Sequence, residues 1–381
     1  MTMGAVTKIE SADHTFQPWY GCHPVVDGRE VSPGCAVCFA EGWAKRSGLV
    51  KWGAQQPRRL SSEDHWRQPV RWNEAAEREG RMHVVLNTLC DLFDDRADPA
   101  WRARWWALVK ATPNLLWTPL TKRPENIPAM LPPDWGDGYP NVMLMVTCED
   151  QKRADIRILR LFAVPARWYG CYYEPAAGPV DFRRIKIGEA DGLLDALTGA
   201  WIADGMNEER RCPRLSWIVA GGPTGPRADP AHPAWFRQVR NDVCEVRGRD
   251  GPPWFHLKQW GEWKPTSGVD VYCHGPDHNA REFPNVQGIA WLGDGRICLR
   301  DFSITEHARR IRNRQAFNTR AIEVDEQALE DFHAACANPN RIADNPLGFQ
   351  WMYRVGSKAA GRLLDGRTWD EFPAPARRPT P

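Results

Sequence analysis

Three cysteines near the start of the chain carry the clearest chemistry, spaced as Cys22-x12-Cys35-x2-Cys38. A C-x2-C pair brings two thiolates to one metal centre, and Ser32-Pro33-Gly34 just before it is turn chemistry. The segment from Phe39 onward reads as a helix. Thiolates near a helix start are favoured by the helix dipole and by free backbone N–H groups. Three thiolates suit a [4Fe–4S] cluster with one iron left open, which S-adenosylmethionine (SAM) can chelate through its amino and carboxylate groups. Zinc is the competing metal, with His14 or His23 as the fourth ligand. A chance pairing of cysteines is the third reading.

The elements that must position such a site follow from a rhythm between residues 80 and 260. Short apolar runs recur at residues 83–87, 115–120, 142–146, 167–173, 217–220 and 254–257. Runs of this kind suit strands buried on both faces of a parallel sheet. Helical patterns lie between them, and Pro99–Ala111 and Pro233–Val246 each open on a proline, a favoured first helical position. The alternation predicts an α/β fold with right-handed crossovers.

Each run ends in polar or small residues. Asn87, Thr88 and Asp91 follow the first, Lys122 and Arg123 the second, Thr147 and Glu149 the third, and Glu174 the fourth. Gly221 and Gly222 follow the fifth, and Lys258, Gln259 and Trp260 the sixth. The carboxyl ends of parallel strands form the active face of α/β proteins. No G-x-G-x-x-G fingerprint stands among these turns, so a TIM-type barrel, partial or complete, is expected over an open dinucleotide-binding sheet. Residues 1–264 are expected to form this barrel with its N-terminal cluster loop. Residues 265–381 are read as a C-terminal extension, with a hairpin at 288–299, an amphipathic helix at 324–337 and a frayed tail from about 373.

Composition narrows the class. The 381 residues carry 50 basic and 48 acidic side chains, a balance that does not favour tight non-specific nucleic-acid binding. No run of 18 apolar residues is present, and residues 1–10 lack the pattern of a secretory signal, so a cytoplasmic protein is expected. Eleven cysteines, an odd number, do not read as a disulfide scaffold. Cys148, Cys171 and Cys298 sit in or beside apolar runs and are expected to be packed, as are Trp105 and Trp106.

Residues 19–41 resemble the opening of the phage gene-product thirty-seven/sixty-eight family, a radical-SAM-like phage family of unknown function. The matching elements are a tryptophan, Gly-Cys, then Val-Ser-Pro-Gly-Cys-x-x-Cys followed by an aromatic residue, Ala and Glu. The similarity continues in order through Asp91-Leu92-Phe93, Leu120-Thr121-Lys122-Arg123-Pro124 and Val146-Thr147-Cys148-Glu149-Asp150-Gln151. It runs on through Glu174-Pro175, Val219-Ala220-Gly221-Gly222, residues 258–263 and residues 354–366. Three positions depart from the pattern: the first inter-cysteine gap is longer around residues 23–29, Pro223 replaces a glutamate, and Val37 stands where many radical SAM enzymes carry an aromatic.

The resemblance implies a radical-SAM-like barrel holding a [4Fe–4S] cluster on Cys22, Cys35 and Cys38, reduced by an external electron donor. Carried over by position, Asn87, Thr88 and Asp91 are expected at the SAM amino group, and Thr147 and Glu149 at its ribose, unless the last two merely cap the following helix. Lys122 and Arg123 are expected to hold a carboxylate or a substrate phosphate. Glu174 and Lys258 are the expected catalytic pair, with Gln259 and Trp260 lining the substrate pocket, where the indole would stack on a base. A nucleobase or nucleotide in phage DNA modification or repair is the implied substrate. The competing function is a zinc-binding or iron–sulfur-stabilised nucleic-acid-binding protein without radical chemistry.

Overall fold

The computed structural model describes residues 7–188, 192–202, 210–247, 251–266, 288–293, 296–299, 350–373 and 376. Every apolar run singled out above forms a strand. In chain order the strands are β1 (His14–Thr15), β2 (His83–Leu86), β3 (Leu115–Thr118), β4 (Leu120–Thr121), β5 (Met143–Thr147), β6 (Trp168–Tyr173), β7 (Trp217–Gly221) and β8 (Trp254–Gln259). They pair as β1-β2-β3 and as β4-β5-β6-β7-β8. The registers are parallel from β1 to β3 and from β4 to β7. Trp254 N–H donates to Ser216 O at 3.0 Å and Gly222 N–H to Gln259 O at 3.0 Å, so β8 advances alongside β7 in the same direction.

The second apolar run breaks in two at Pro119, which has no N–H to offer a ladder. β3 pairs with β2 before the break and β4 with β5 after it, and Trp117 N–H reaches Asn141 O at 2.9 Å across the same seam. Neighbouring strands thus follow sequence order, as a chain of βαβ crossovers produces. Among the described residues no pairing joins β8 back to β1. The free side of β8 meets the C-terminal segment instead, through an antiparallel bridge between His256 and Asp370.

Helices supply the crossovers. Among the helices are α1 (Pro33–Ala36), α2 (Phe39–Ser47), α3 (Glu63–Glu79), α4 (Pro99–Ala111), α5 (Gln151–Phe162) and α6 (Pro233–Val246). Of these, α3, α4 and α5 begin where a side chain caps them. Asp98 accepts from Ala100 N–H and Asp150 from Arg153 N–H, satisfying donors that the first turns leave over. Alternate strand residues on one face, among them Leu86, Leu116, Met145, Tyr172 and Val219, join one buried cluster. The intervening residues, such as Val85 and Val146, are equally buried, and α5 packs against β5. Burial on both faces is why the runs read as continuous rather than alternating. Trp105, Trp106, Cys148 and Cys171 are core residues, as their apolar surroundings suggested.

The chain divides into two compact units. The first comprises Met1–Gly221, Val239–Lys258 and Trp369–Pro381; the second comprises Gly222–Gln238 and Gln259–Thr368. This differs from a single boundary after residue 264. The closing segment belongs to the first unit because Leu257 N–H donates to Trp369 O at 2.9 Å, and the Trp217 indole N–H donates to Glu371 O at 2.9 Å. The second unit holds an antiparallel sheet of β9 (Trp263–Thr266), β10 (Gly288–Gly293), β11 (Arg296–Leu299) and β12 (Gln350–Arg354), in the order β9-β12-β10-β11. The hairpin expected at 288–299 is the β10–β11 pair. The helix expected at 324–337 and most of the tail beyond 373 lie outside the described residues. Among the described residues, no helix is long and apolar enough to cross a membrane.

Candidate metal centre at the strand ends

The cysteine loop lies over the carboxyl ends of β4, β5 and β6. Gly34 makes this visible, because a Cβ there would stand 2.9 Å from Glu149 Oε1, 3.0 Å from Pro175 Cδ and 3.1 Å from Lys122 Cε. Only a residue without a side chain lets the loop approach so closely. Cys35 lies in the single turn of α1, Cys38 occupies the N-cap position of α2, and Cys22 comes from the segment after β1. All three are free and partly exposed. Val25 N–H donates to Cys35 Sγ at 3.4 Å.

The long gap between Cys22 and Cys35 is folded back on itself. Val26–Asp27 pairs antiparallel with Glu30–Val31, and Ser32 N–H closes the base on Val25 O at 2.9 Å. The extra residues therefore form a hairpin rather than slack, and the loop to be closed is shorter than the sequence gap. Asp27 pairs with Arg153 at 3.2 Å and Arg157 at 3.0 Å, while Glu30 pairs with Lys152 at 2.8 Å and Arg153 at 3.2 Å. The hairpin is thereby bolted to α5.

Glu149 is fully buried at 0% exposure and locks the loop from beneath. Its Oε1 accepts from the Ser32 hydroxyl at 2.5 Å and from Gly34 N–H at 3.2 Å, and its Oε2 accepts from Arg157 at 2.7 Å. Arg157 also donates to Ser32 Oγ at 3.1 Å and to Thr147 O at 2.8 Å. Glu149 does not cap α5, a task that Asp150 performs; three protein donors hold its carboxylate, which has no solvent exposure. Ser32, Arg157 and Asp27 are site residues that sequence reasoning missed; the acidic residues inside the inter-cysteine gap were the available signal.

Asp91 organises the second side. Its Oδ1 accepts from Thr121 Oγ1 at 2.7 Å and Phe93 N–H at 3.0 Å, and its Oδ2 accepts from Arg123 Nη1 at 2.8 Å. Arg123 also donates to Cys22 Sγ at 3.6 Å and to His23 O at 2.6 Å. Asn87 exchanges two bonds with the backbone of Leu120, replacing the ladder where β2 has ended. The Thr88 hydroxyl and N–H are taken by Gln17. Lys122 is the loosely held cation, 3.4 Å from Thr147 Oγ1 and 4.0 Å from Glu149 Oε1.

Burial pushes the Cys22 thiol up to about 12, against the opposing pull of Arg123, and raises the Cys38 thiol as well. Without a metal both are held as thiols, so a metal must displace their protons. Burial alone would lower the Lys122 ammonium, but the Glu149 carboxylate, joined by Cys35 and Cys38 once these are ionised, raises it above its ordinary value.

Glu174 and Lys258, expected to meet a ligand between them, pair directly with each other. Lys258 Nζ lies 2.7 Å and 2.9 Å from the two carboxylate oxygens, and the side chains are 14% and 17% exposed. Gly221 leaves room for Glu174, since a Cβ would stand 3.1 Å from it. Gln259 and Trp260 fall in the second unit. Trp260 is 2% exposed, its indole N–H donates to Leu363 O at 2.7 Å, and its ring lies 5.2 Å from Phe236, so it packs within that unit.

One zinc with bonds of about 2.3 Å needs thiolate sulfurs about 4 Å apart, whereas a [4Fe–4S] cube binds each thiolate to a different iron and spreads them wider. Among the described residues the three ligand atoms gathered within 4.8 Å belong to His23, Asp94 and Asp95, with no cysteine. Arg58 already fills that trio, 2.6 Å from Asp94 and 2.9 Å from His23 Nδ1. His14, the other histidine considered for zinc, bonds His83 Nδ1 at 3.0 Å and stacks on Trp72. Among the described residues no three cysteine sulfurs gather within 4.8 Å of one another, so Cys22, Cys35 and Cys38 do not form the tight set that one zinc needs; Arg123 stands beside Cys22, and Lys122 beside Cys35 and Cys38.

No curated protein and no solved structure matched the chain. A family model described as a protein of unknown function (DUF5131) matches residues 6–373, and the chain belongs to that family.

Proposed function

We propose that this protein is a radical SAM enzyme, with Cys22, Cys35 and Cys38 as the cluster ligands. The observation that carries this reading is the seating of the C-x2-C loop on the carboxyl ends of parallel strands, held there by Glu149 and Gly34. A [4Fe–4S] cluster, which Cys22, Cys35 and Cys38 would hold, would supply one-electron reductive cleavage of SAM, given an external electron donor. The chain's own residues orient and shield. Lys122, poorly satisfied beside Cys35 and Cys38, is the cation for the SAM carboxylate. Asn87, Asp91 and Glu149 act here by positioning, because protein donors already hold their side-chain oxygens; Thr88 is held by Gln17, and Thr147 stands beside Lys122.

Glu174 and Lys258 form a partly exposed acid–base pair at the ends of β6 and β8, on either side of β7, suited to gripping a polar substrate or moving a proton at Glu174 Oε1. The substrate class in this reading is a nucleobase or nucleotide, which the phage resemblance and the cations at the strand ends support. The closed barrel and the cytoplasmic setting belong to the same proposal. Anaerobic reconstitution should give about four irons per chain, and SAM with a reductant should then yield 5′-deoxyadenosine. Alanine at Cys22, Cys35 or Cys38 should remove the iron, and alanine at buried Cys148 should not. Zinc without iron would overturn the reading; iron without deoxyadenosine would favour an iron–sulfur-stabilised binding protein.

A further inference from the structure

We infer that Arg123 is a positioning residue for the cluster ligand Cys22 and raises the reduction potential of the centre Cys22 helps to hold; this rests on the cluster reading above. The geometry is specific. Arg123 Nη1 has two hydrogens, one directed to Asp91 Oδ2 at 2.8 Å and one to Cys22 Sγ at 3.6 Å. Its Nη2 donates to the carbonyl of His23, the next residue after Cys22, at 2.6 Å. One planar fork therefore fixes both the sulfur of Cys22 and the backbone that leads from it. A lysine could not span these partners, because its donors radiate from one nitrogen.

The need for such a grip is plain in the sequence. Cys35 and Cys38 are held by α1, α2 and the Glu149 clamp, but Cys22 lies beyond the inserted hairpin and outside that clamp. Arg123 anchors it to the end of β4 through Asp91, which is itself fixed by Thr121 Oγ1 and Phe93 N–H. The guanidinium is almost fully enclosed, with 6% of its side chain exposed, so its bond to sulfur acts in a low dielectric.

The electrostatic sign follows. Reduction adds one negative charge to the cluster and its thiolates. Hydrogen bonds to the sulfurs are among the groups that set iron–sulfur potentials. A cationic donor on Cys22 Sγ stabilises the more negative, reduced state, and its removal favours the oxidised one.

The test is a redox titration of anaerobically reconstituted full-length protein, followed by the electron paramagnetic resonance signal of the reduced cluster, with iron content measured on each sample. Arg123→Gln, at full iron, is expected to shift the reduction equilibrium about tenfold toward the oxidised form, about 59 mV for one electron. Arg123→Lys should recover part of that shift, because it keeps the charge and loses the fork. An unchanged midpoint in Arg123→Gln at full iron would overturn the inference. Where circular dichroism shows that Arg123→Gln has not folded, Arg123→Lys carries the test: a lowered midpoint supports the inference and an unchanged one overturns it. Failure of the cluster reading is separately visible, since the wild-type protein would then take up no iron.

Discussion

Glu149→Gln is the substitution whose consequence the structure specifies most fully. The change keeps shape and removes one acceptor and the charge from a side chain with no solvent exposure. The least costly orientation leaves the amide oxygen toward Arg157 and turns the NH2 toward Ser32 Oγ, which can rotate to accept it. Gly34 N–H then loses its acceptor, at about 1–3 kcal/mol for a buried unsatisfied donor. The Arg157 bond falls from charge-assisted to ordinary, a further loss of about 1 kcal/mol. Asp27, 3.0 Å from Arg157, still balances the guanidinium, so the full penalty of about 3–5 kcal/mol for breaking a buried pair is not reached. The expected total is about 2–4 kcal/mol.

Because the lost bonds tie a loop to strand ends, much of this cost should appear as local opening. Hydrogen exchange at residues 32–38 of the metal-free protein should accelerate by about 30-fold or more, at about 1.4 kcal/mol per tenfold. Cys35 should react faster with an alkylating reagent. Exchange at Gly34 and Cys35 that stays within about twofold of wild type would refute the clamp.

Other outcomes follow from neighbouring contacts. Gly34→Ala forces a methyl against Glu149, Pro175 and Lys122, so the protein should fold by circular dichroism yet retain less iron; full iron retention would show that the loop can lift without loss. Glu174→Gln and Lys258→Met should each lower the melting temperature, by about 1–3 kcal/mol in stability, because each removes the charge-assisted pair between two partly buried side chains. The double variant should regain much of that stability while still failing to turn over substrate. His65 accepts from Gln17 N–H at 3.1 Å, and burial lowers its pKa below the ordinary 6.5. The folded state thus resists a proton that the unfolded chain accepts, so stability is fully present above pH 6.5 and declines as pH falls below it. Urea midpoints at pH 7.5 and 5.5 should separate less in His65→Gln than in wild type.

The strands and crossovers were legible in the chain because their causes are local. An apolar run buried on both faces, a proline after an aspartate at a helix start, and a C-x2-C turn each act within a few residues. The order of polar residues after each run likewise located Asp91, Lys122, Glu149, Glu174 and Lys258 at strand ends. What those residues do was not local. Glu149 meets Ser32 across 117 positions, Arg157 meets Asp27 across 130, and Lys258 meets Glu174 across 84. A carboxylate has a few acceptor sites, and whether they serve a ligand or a loop depends on which donors folding brings beside it. The same holds for Trp260, whose indole looks available in sequence and is committed to Leu363 in the second unit. The sequence by itself determined the elements and their polar ends; the tertiary structure alone decided which hydrogen-bonding capacity remained to meet a ligand, because that capacity is shared among groups distant along the chain.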